Sequence, residues 1–368
     1  MKIAILTGET SGDNYGSLLA KKIKSISPET IILSTGGSKM KVLSDIFIDM
    51  PLGKMGFSGV IKSIGAFYNS YKKVVKLIEQ ENPSLIIFID NPGFNLKVAK
   101  ALKGRYKTLY YIPPKIWAHN YNRIKTIKKY IQVVIPIFSF EREIYEKEDV
   151  ECYWFGHPAT DLIKQSHNTE RKTVREKDVV VGLLPGSREE EIKYLLPEFL
   201  KIIKKMRKER KLKFLLSASD KNIKKKQELM LAKYDESSVL IKEDLYEIID
   251  SSDMLFAASG TVNIEIALKG KPFLVFYKTT FLNYFLAKMI VKLKYISPVN
   301  LILNQKVVPE YIQVFPHQDI VKTSLNILTK KTLYKKQIKN FEVFKNQMND
   351  VKVSEKVAMF ILSNMENQ

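Results

Sequence analysis

VVVGLLPGSREEEI, residues 179–192, is the stretch on which the fold turns. Val179 to Pro185 is a short, nearly continuous apolar run, as a fully buried strand requires. The run stops at Pro185-Gly186-Ser187-Arg188. Glu189, Glu190, Glu191 and Ile192 then open a helical pattern with its acidic residues in the first turn. A strand, a glycine turn and a new helix N-terminus make an anion site, because free backbone N–H groups and the helix dipole point to one place. Arg188 adds a guanidinium that can fork onto a diphosphate. Such a turn is common on its own; here a second one follows.

SGTVNIEIALKGKPFLVFYK, residues 259–278, comes directly after the strand-like run MLFAA. Ser259, Gly260 and Thr261 form the turn, VNIEIAL has helical spacing, and Gly270 and Pro272 end that helix. Glycine and small hydroxyl residues let a nucleotide approach the backbone, and the carboxylate of Glu265 just beyond can hold two ribose hydroxyls. This is nucleotide-sugar recognition in outline. The plainer reading of Glu265 is a first-turn carboxylate that complements the dipole.

Outward from these turns the chain alternates. KIAILTG, TIILSTGG, SLIIFID, KTLYYIPP, QVVIPIF and CYWFG read as strands with helical patterns between them; VVVGLLP, KFLLSAS, SVLIKE, MLFAA and FLVFYK repeat the scheme. Alternation of this kind predicts α/β architecture with doubly wound parallel sheets. A length of 368 residues fits two such domains. The expected division is an N-terminal Rossmann-like domain over 1–165, a polar linker over 166–178, a second Rossmann-like domain over 179–340 and a helical segment over 341–368. The final helix is expected to cross back to the first domain. Ligands in such sheets sit at the carboxyl ends of the strands, so a cleft between the domains is the expected active site.

Charge and cysteine narrow the partners. The net charge of +21 suits nucleic acid, an anionic membrane surface or phosphorylated substrates, although a compositional bias toward Lys, Ile and Asn would raise it too. Nucleic acid fits worst: there is no zinc-ligand spacing, no RNP-like aromatic motif and no Arg-rich patch. Cys152 stands alone, which excludes an intrachain disulfide and suits a reducing compartment. MKIAILTGETSGD reads as a strand entering a glycine turn rather than a leader, and no run approaches the ~18 apolar residues of a spanning helix.

Four clusters in the first half can carry chemistry. GETSGDNYG (8–16) is a glycine-rich turn, but it is not GxGxxG and lacks the acidic residue of a dinucleotide site. Its Glu9, Ser11 and Asp13 suit sugar hydroxyls; a helix cap by Ser11 or Asp13 is the alternative. FIDNPGFN (88–95) sets Asp90 at the end of a very apolar strand, where it can act as a base or cap the next helix. YIPPKIWAHNYNR (111–123) gathers Trp117, which can stack on a sugar or acyl group, with His119 and Arg123. FGHP (155–158) puts His157 at another strand end. There is no Asp-x-Asp and no His/Cys ligand cluster, so neither metal nor cofactor is expected.

Taken in order, GETSGD…G, MGF (55–57), FID.P.FNL, WA….R, FGHP.TD, LLPGSR..EI..LLP, SGT…E.AL, Y.S..NL (295–301) and PE..Q (309–313) resemble the lipid-A-disaccharide synthases, inverting glycosyltransferases of the GT-B fold, across residues 8–313. The resemblance implies two Rossmann-like domains facing a cleft and a reaction without metal or cofactor. Diacylglucosamine would pass from UDP-2,3-diacylglucosamine to 2,3-diacylglucosamine 1-phosphate, giving a β-1′,6-linked disaccharide 1-phosphate and UDP. It implies Asp90 as the base for the acceptor 6-hydroxyl. Arg188, with Gly186 and Ser187, would face the departing diphosphate. Ser259, Gly260, Thr261 and Glu265 would surround UDP, with Asn300 and Gln313 nearby; loop hydrogen bonding is the plainer reading of those two. Glu9, Ser11, Asp13, Asn95, Trp117, Arg123 and His157 complete the implied substrate contacts. A peripheral protein on the cytoplasmic face of the inner membrane is implied, and a homodimer is left open.

The chain departs from the family pattern at Gly93, where an Asp is usual, at Gly59, where a Glu is usual, and at His119, where a second Trp is usual. The first two are lost carboxylates close to where the acceptor is expected. Two other readings therefore stay open: a UDP-sugar-dependent GT-B transferase with another acceptor, and a paralogue that binds UDP-sugar or membrane without catalysis. In residues 279–295, Phe281, Leu282, Phe285, Leu286, Met289, Ile290 and Leu293 have helical spacing beside Lys288, Lys292 and Lys294. That pattern suits an interfacial helix on an anionic membrane or a helix packed on the core, as does the basic, apolar stretch 54–73.

Overall fold

The structure, a computed structural model, describes residues 1–49, 60–118, 120–166, 179–281, 283–285, 294–348 and 352–364. MGF at 55–57, Gly59, His119, linker residues 167–178, and Leu282 and residues 286–293 of the expected interfacial helix lie outside the described residues. The chain divides into two compact units, Met1–Leu162 with Met348–Gln368, and Ile163–Gln347.

In the first unit the strands are β1 Lys2–Leu6, β2 Ile31–Gly36, β3 Ile46–Asp49, β4 Leu85–Ile89, β5 Lys107–Tyr111, β6 Val133–Ile135 and β7 Glu151–Cys152. They form one parallel sheet in the order β3-β2-β1-β4-β5-β6-β7. In the second unit β8 Val179–Leu184, β9 Leu212–Ser217, β10 Val239–Lys242, β11 Met254–Ala258, β12 Phe273–Tyr277 and β13 Glu310–Ile312 pair in the order β10-β9-β8-β11-β12-β13, again parallel. Helices cover both faces of such sheets, so their central strands are apolar throughout. LIIFI of β4 and MLFAA of β11 are buried at every position. Phe199, Phe256 and Phe276 meet ring to ring at 4.9–5.6 Å in the second core. Ala4, Phe88, Phe94 and Tyr110 do comparable work in the first. Each large side chain so buried contributes about 1.5–3 kcal/mol.

Strand order reverses once in each sheet, at β1/β4 and at β8/β11. The registers there align Leu6 with Phe88 and Leu184 with Ala257. Chains leave neighbouring strands in opposite directions at such a point, and the carboxyl ends form a crevice where ligands bind. The glycine turns after β1 and β8, FIDNPG after β4 and Ser259-Gly260-Thr261 after β11 therefore fall where the fold puts chemistry.

The last helix, Val353–Asn364, belongs to the first unit, as the expected crossing requires. It packs on the helix Thr10–Ile26. The carboxylate of Asp161 accepts the N–H groups of Val353 and Ser354 at 3.2 and 2.6 Å, and Lys22 pairs with Glu355 at 3.2 Å. Among the described residues no helix is long and apolar enough to cross a membrane.

Candidate active site

At the first switch point Asp90 directly follows β4 and is half-buried. Ser11, in the first turn of the helix after β1, donates its hydroxyl to Asp90 Oδ2 at 3.2 Å. The turn after β1 and the acid after β4 are thus joined by one hydrogen bond. Glu9 is the N-cap residue of that same helix. Asp90 and Asn91 both have positive φ, 51° and 43°. The left-handed region is unfavourable for an L-residue, and two in succession mark a turn held by its surroundings.

The neighbouring polar residues hold this turn. Asn95 is fully buried and directs its amide N–H groups to the carbonyls of Leu6, Ile89 and Asp90 at 3.4, 3.2 and 2.8 Å. Asp13 is also buried and accepts the N–H groups of Gly37, Lys39 and Met40 at 2.8, 3.3 and 3.0 Å, capping the short helix Ser38–Leu43. Both were expected to face substrate; the Asp13 carboxylate and the Asn95 NH2 group are engaged inside the unit, and Asn95 Oδ1 is buried without a hydrogen-bond partner among the described residues.

Trp117 donates its indole N–H to Glu141 at 2.8 Å and sets its ring edge-on to Phe140 at 5.1 Å. Glu141 is buried and also accepts the N–H of Phe138 at 3.2 Å. Burial raises its carboxyl pKa, against the lowering effect of Trp117 and Lys115. Arg123 opens the helix Arg123–Tyr130 and is half-exposed. His157 is fully buried between Tyr15 and Phe138, and its Nδ1 accepts the N–H of Ala159 at 3.1 Å. Burial, reinforced by the charge of Lys115, pushes its pKa down to about 3, so the ring is neutral.

At the second switch point the PGSR turn differs from its expected form. The N–H groups of Ser187 and Arg188 are not free: both point at Glu191 Oε2, at 3.0 and 3.3 Å. Glu191 stands three residues past the N-cap Arg188 and folds back as a capping-box carboxylate does. Gly186 has φ 109°, and a Cβ there would lie 2.0 Å from Glu191 Oε2. The glycine thus admits the protein's own carboxylate. The Arg188 guanidinium beside the turn is half-exposed and 3.4 Å from Glu191 Oε1. Burial and the charges of Glu191 and Glu190 raise the pKa of Tyr277, with Arg188 opposing, which places that phenol beside the turn.

The turn after β11 is built otherwise. Asn263 is buried and ties the turn by donating to the Ala258 carbonyl at 2.9 Å. The Ser259 hydroxyl donates to Ile296 O at 2.8 Å. A Cβ at Gly260 would meet nothing within 4 Å, so the space beside the residue is open, while its N–H and C=O face Asn263 at 3.5 and 3.1 Å. Thr261 is the N-cap of the helix Val262–Leu268, and Glu265 in its first turn is buried against the Tyr246 hydroxyl. Asn300 accepts from Val307 N and Val308 N and donates to Val308 O and Glu310, all at 2.8–2.9 Å. Gln313 spends its amide on the N–H and C=O of Thr279, at 2.7 and 3.0 Å. Both side chains tie loops together through these bonds.

The structure therefore brings Glu9, Ser11 and Asp90 to one switch point. It brings Gly186, Ser187, Arg188, Ser259, Gly260 and Thr261 to the other, with Glu265 one turn beyond. Sequence reasoning missed Tyr110, whose hydroxyl donates to Asp90 O at 2.7 Å, and the Lys278–Glu198–His317 cluster at 3.0 and 2.8 Å. Burial opposes ionisation of Glu198, but Lys278 and His317 outweigh it and lower its pKa. The capping-box spacing in SREE points to Glu190, one residue short of Glu191, because the N-cap is Arg188 rather than Ser187. Among the described residues no three His, Cys, Asp or Glu side chains are grouped as a metal site needs.

Two parallel doubly wound sheets with polar turns at their switch points make this a fold of the GT-B glycosyltransferase class. Solved structures with the same fold include UDP-GlcNAc 2-epimerase from Neisseria meningitidis bound to UDP-GlcNAc, with a TM-score of 0.69 at 13% identity over 99% of this chain and 100% of that one. A glycosyltransferase from Rickettsia africae ESF-5 superposes with a TM-score of 0.56 at 13% identity over 99% of each chain. The chain belongs to the lipid-A-disaccharide synthetase family, which matches residues 3–361. It is 32% identical over 319 residues to lipid-A-disaccharide synthase of Coxiella burnetii (strain Dugway 5J108-111), covering 84% of each chain. It is 31% identical over 366 residues to that of Persephonella marina (strain DSM 14350 / EX-H1), covering 95% of each.

Proposed function

We propose that the chain joins two acylated glucosamines in lipid A biosynthesis, with the first unit activating the acceptor and the second holding the donor. Diacylglucosamine passes from UDP-2,3-diacylglucosamine to the 6-hydroxyl of 2,3-diacylglucosamine 1-phosphate. The products are the β-1′,6-linked disaccharide 1-phosphate and UDP. Family membership supports the reaction. The observation that carries the mechanism is the position of Asp90: a half-buried carboxylate at a switch point, with Oδ2 held by Ser11.

In an inverting displacement the acceptor oxygen attacks the anomeric carbon as the bond to the diphosphate breaks, and one base takes the hydroxyl proton. Asp90 is that base in our reading, an effect of about 10²–10⁴-fold. The leaving diphosphate gains one negative charge as the bond breaks; the Arg188 guanidinium meets it in our reading, and the open space beside Gly260 admits the nucleotide. Glu265, buried against Tyr246 one turn beyond Thr261, is assigned to the ribose in this reading. His157, Asp13, Asn95, Asn300 and Gln313 support the turns from inside. The proposal includes association with an anionic membrane surface, supported by the net charge of +21 and by Phe281 and Phe285, which are 81% and 54% exposed.

The test is product analysis. Purified protein with both substrates in mixed micelles is expected to release UDP and form the disaccharide 1-phosphate. UDP release only with a different acceptor would replace the acceptor assignment. UDP binding without turnover on any acceptor would leave a binding protein.

A further inference from the structure

We propose that Asn95 and Tyr110 are positioning residues that lock the Asp90 peptide, so that its carboxylate is presented to the acceptor hydroxyl. The inference rests on the reading of Asp90 as the base. Asp90 and Asn91 lie in the left-handed region at φ 51° and 43°, which Asp and Asn adopt more readily than other side chains but at a cost that neighbouring contacts must offset. Relaxation of either residue would turn the Asp90 side chain away from the mouth of the switch point.

Two buried side chains oppose that relaxation, and both grip the same atom. Asp90 O receives the Asn95 amide at 2.8 Å and the Tyr110 hydroxyl at 2.7 Å. The Asn95 amide also reaches Ile89 O at 3.2 Å and Leu6 O at 3.4 Å. Three carbonyl oxygens around one end of an amide can only meet its NH2 group. Asn95 lies on the helix Pro92–Leu102, its N–H bonded to Asn91 O at 3.0 Å, and Tyr110 lies on β5. The ends of β1 and β4, β5 and one helix therefore converge on a single peptide. Both side chains have no exposed surface. Burial, and then the charge of Asp90, hold the Tyr110 phenol well above its ordinary pKa, so it stays a donor. Asn95 thus acts on the substrate through Asp90.

Kinetics of Tyr110→Phe, Asp90→Asn and the double variant separate the possibilities. Tyr110→Phe removes one hydroxyl and nothing else. It is expected to lower kcat about tenfold, because small misplacements of a catalytic group are costly, with acceptor KM within about twofold of wild type. In the Asp90→Asn background the same change is expected to alter the residual rate by less than about twofold, since its route of action is gone. Equal losses in both backgrounds, or an unchanged kcat, overturn the proposal. Should Tyr110→Phe melt well below wild type, Asn95→Ser goes through the same cycle. Full turnover by Asp90→Asn would overturn the base reading and the lock's purpose with it. Loss in Asp90→Asn with none in Tyr110→Phe would overturn the lock alone.

Discussion

One substitution, Gly→Ala, is expected to do opposite things in the two turns of the second unit. At Gly186 the backbone has φ 109°, and the new Cβ would lie 2.0 Å from Glu191 Oε2 and 2.8 Å from Glu191 Cβ. The strained backbone costs about 1–3 kcal/mol. Expelling Glu191 from the N–H groups of Ser187 and Arg188 costs about 0.5–2 kcal/mol more, as loss of a cap does. The sum, about 1.5–5 kcal/mol, lowers Tm by roughly 3–20 °C for a unit of this size. At Gly260 a Cβ meets nothing within 4 Å and φ is not positive. Stability should therefore stay within about 1 kcal/mol of wild type, on the favourable side. A methyl group in that open space would instead hold UDP off in our reading, weakening binding at least about tenfold, or 1.4 kcal/mol. Thermal melts and UDP titration of both variants read the two effects. Wild-type UDP affinity in Gly260→Ala, or a wild-type melt in Gly186→Ala, would refute the reasoning for that turn.

Burial holds the His157 pKa at about 3, against about 6.5 in an unfolded chain. Its neutral form favours the fold fully above about pH 6.5, and that advantage is lost as pH falls toward 3, at up to about 1.4 kcal/mol per unit. Urea unfolding should therefore show that wild type loses about 2 kcal/mol more than His157→Asn between pH 7 and pH 5; equal losses would count against it. Asp13→Ala strips the acceptor from three backbone N–H groups and is expected to lower stability by about 1–3 kcal/mol in the same assay, while an unchanged midpoint would contradict the cap. Binding to vesicles containing anionic lipid should weaken as salt rises, and salt-insensitive binding would remove the charge argument.

Both doubly wound sheets were legible because their central strands are buried on both faces and therefore written as continuous apolar runs. IFID of β3 and EYI of β13 escaped notice because both are short edge strands, half-buried rather than apolar throughout. CYWFG narrows to Glu151–Cys152, since the rings of Tyr153 and Phe155 pack on Phe360 of the last helix rather than extending the sheet. In the site, strand-end position pointed to Asp90 and Arg188, and the structure puts both in turns at the switch points. It did not tell that Glu191 would fill the first anion turn, because a capping carboxylate and a bound phosphate ask for the same N–H groups. Nor did it tell that Asn95, Asn300 and Gln313 turn inward: an amide that holds a loop and one that holds a sugar are the same residue in a sequence.

Turnover and UDP affinity of Asp90→Asn, measured side by side with both substrates present in mixed micelles, bear most directly on the mechanism. Loss of the base should lower kcat by about 10²–10⁴-fold, while UDP, held by the second unit, binds as in wild type. Retention of kcat within a few fold would contradict the role of Asp90, and a parallel loss of UDP affinity would contradict the separation of acceptor and donor chemistry between the two units.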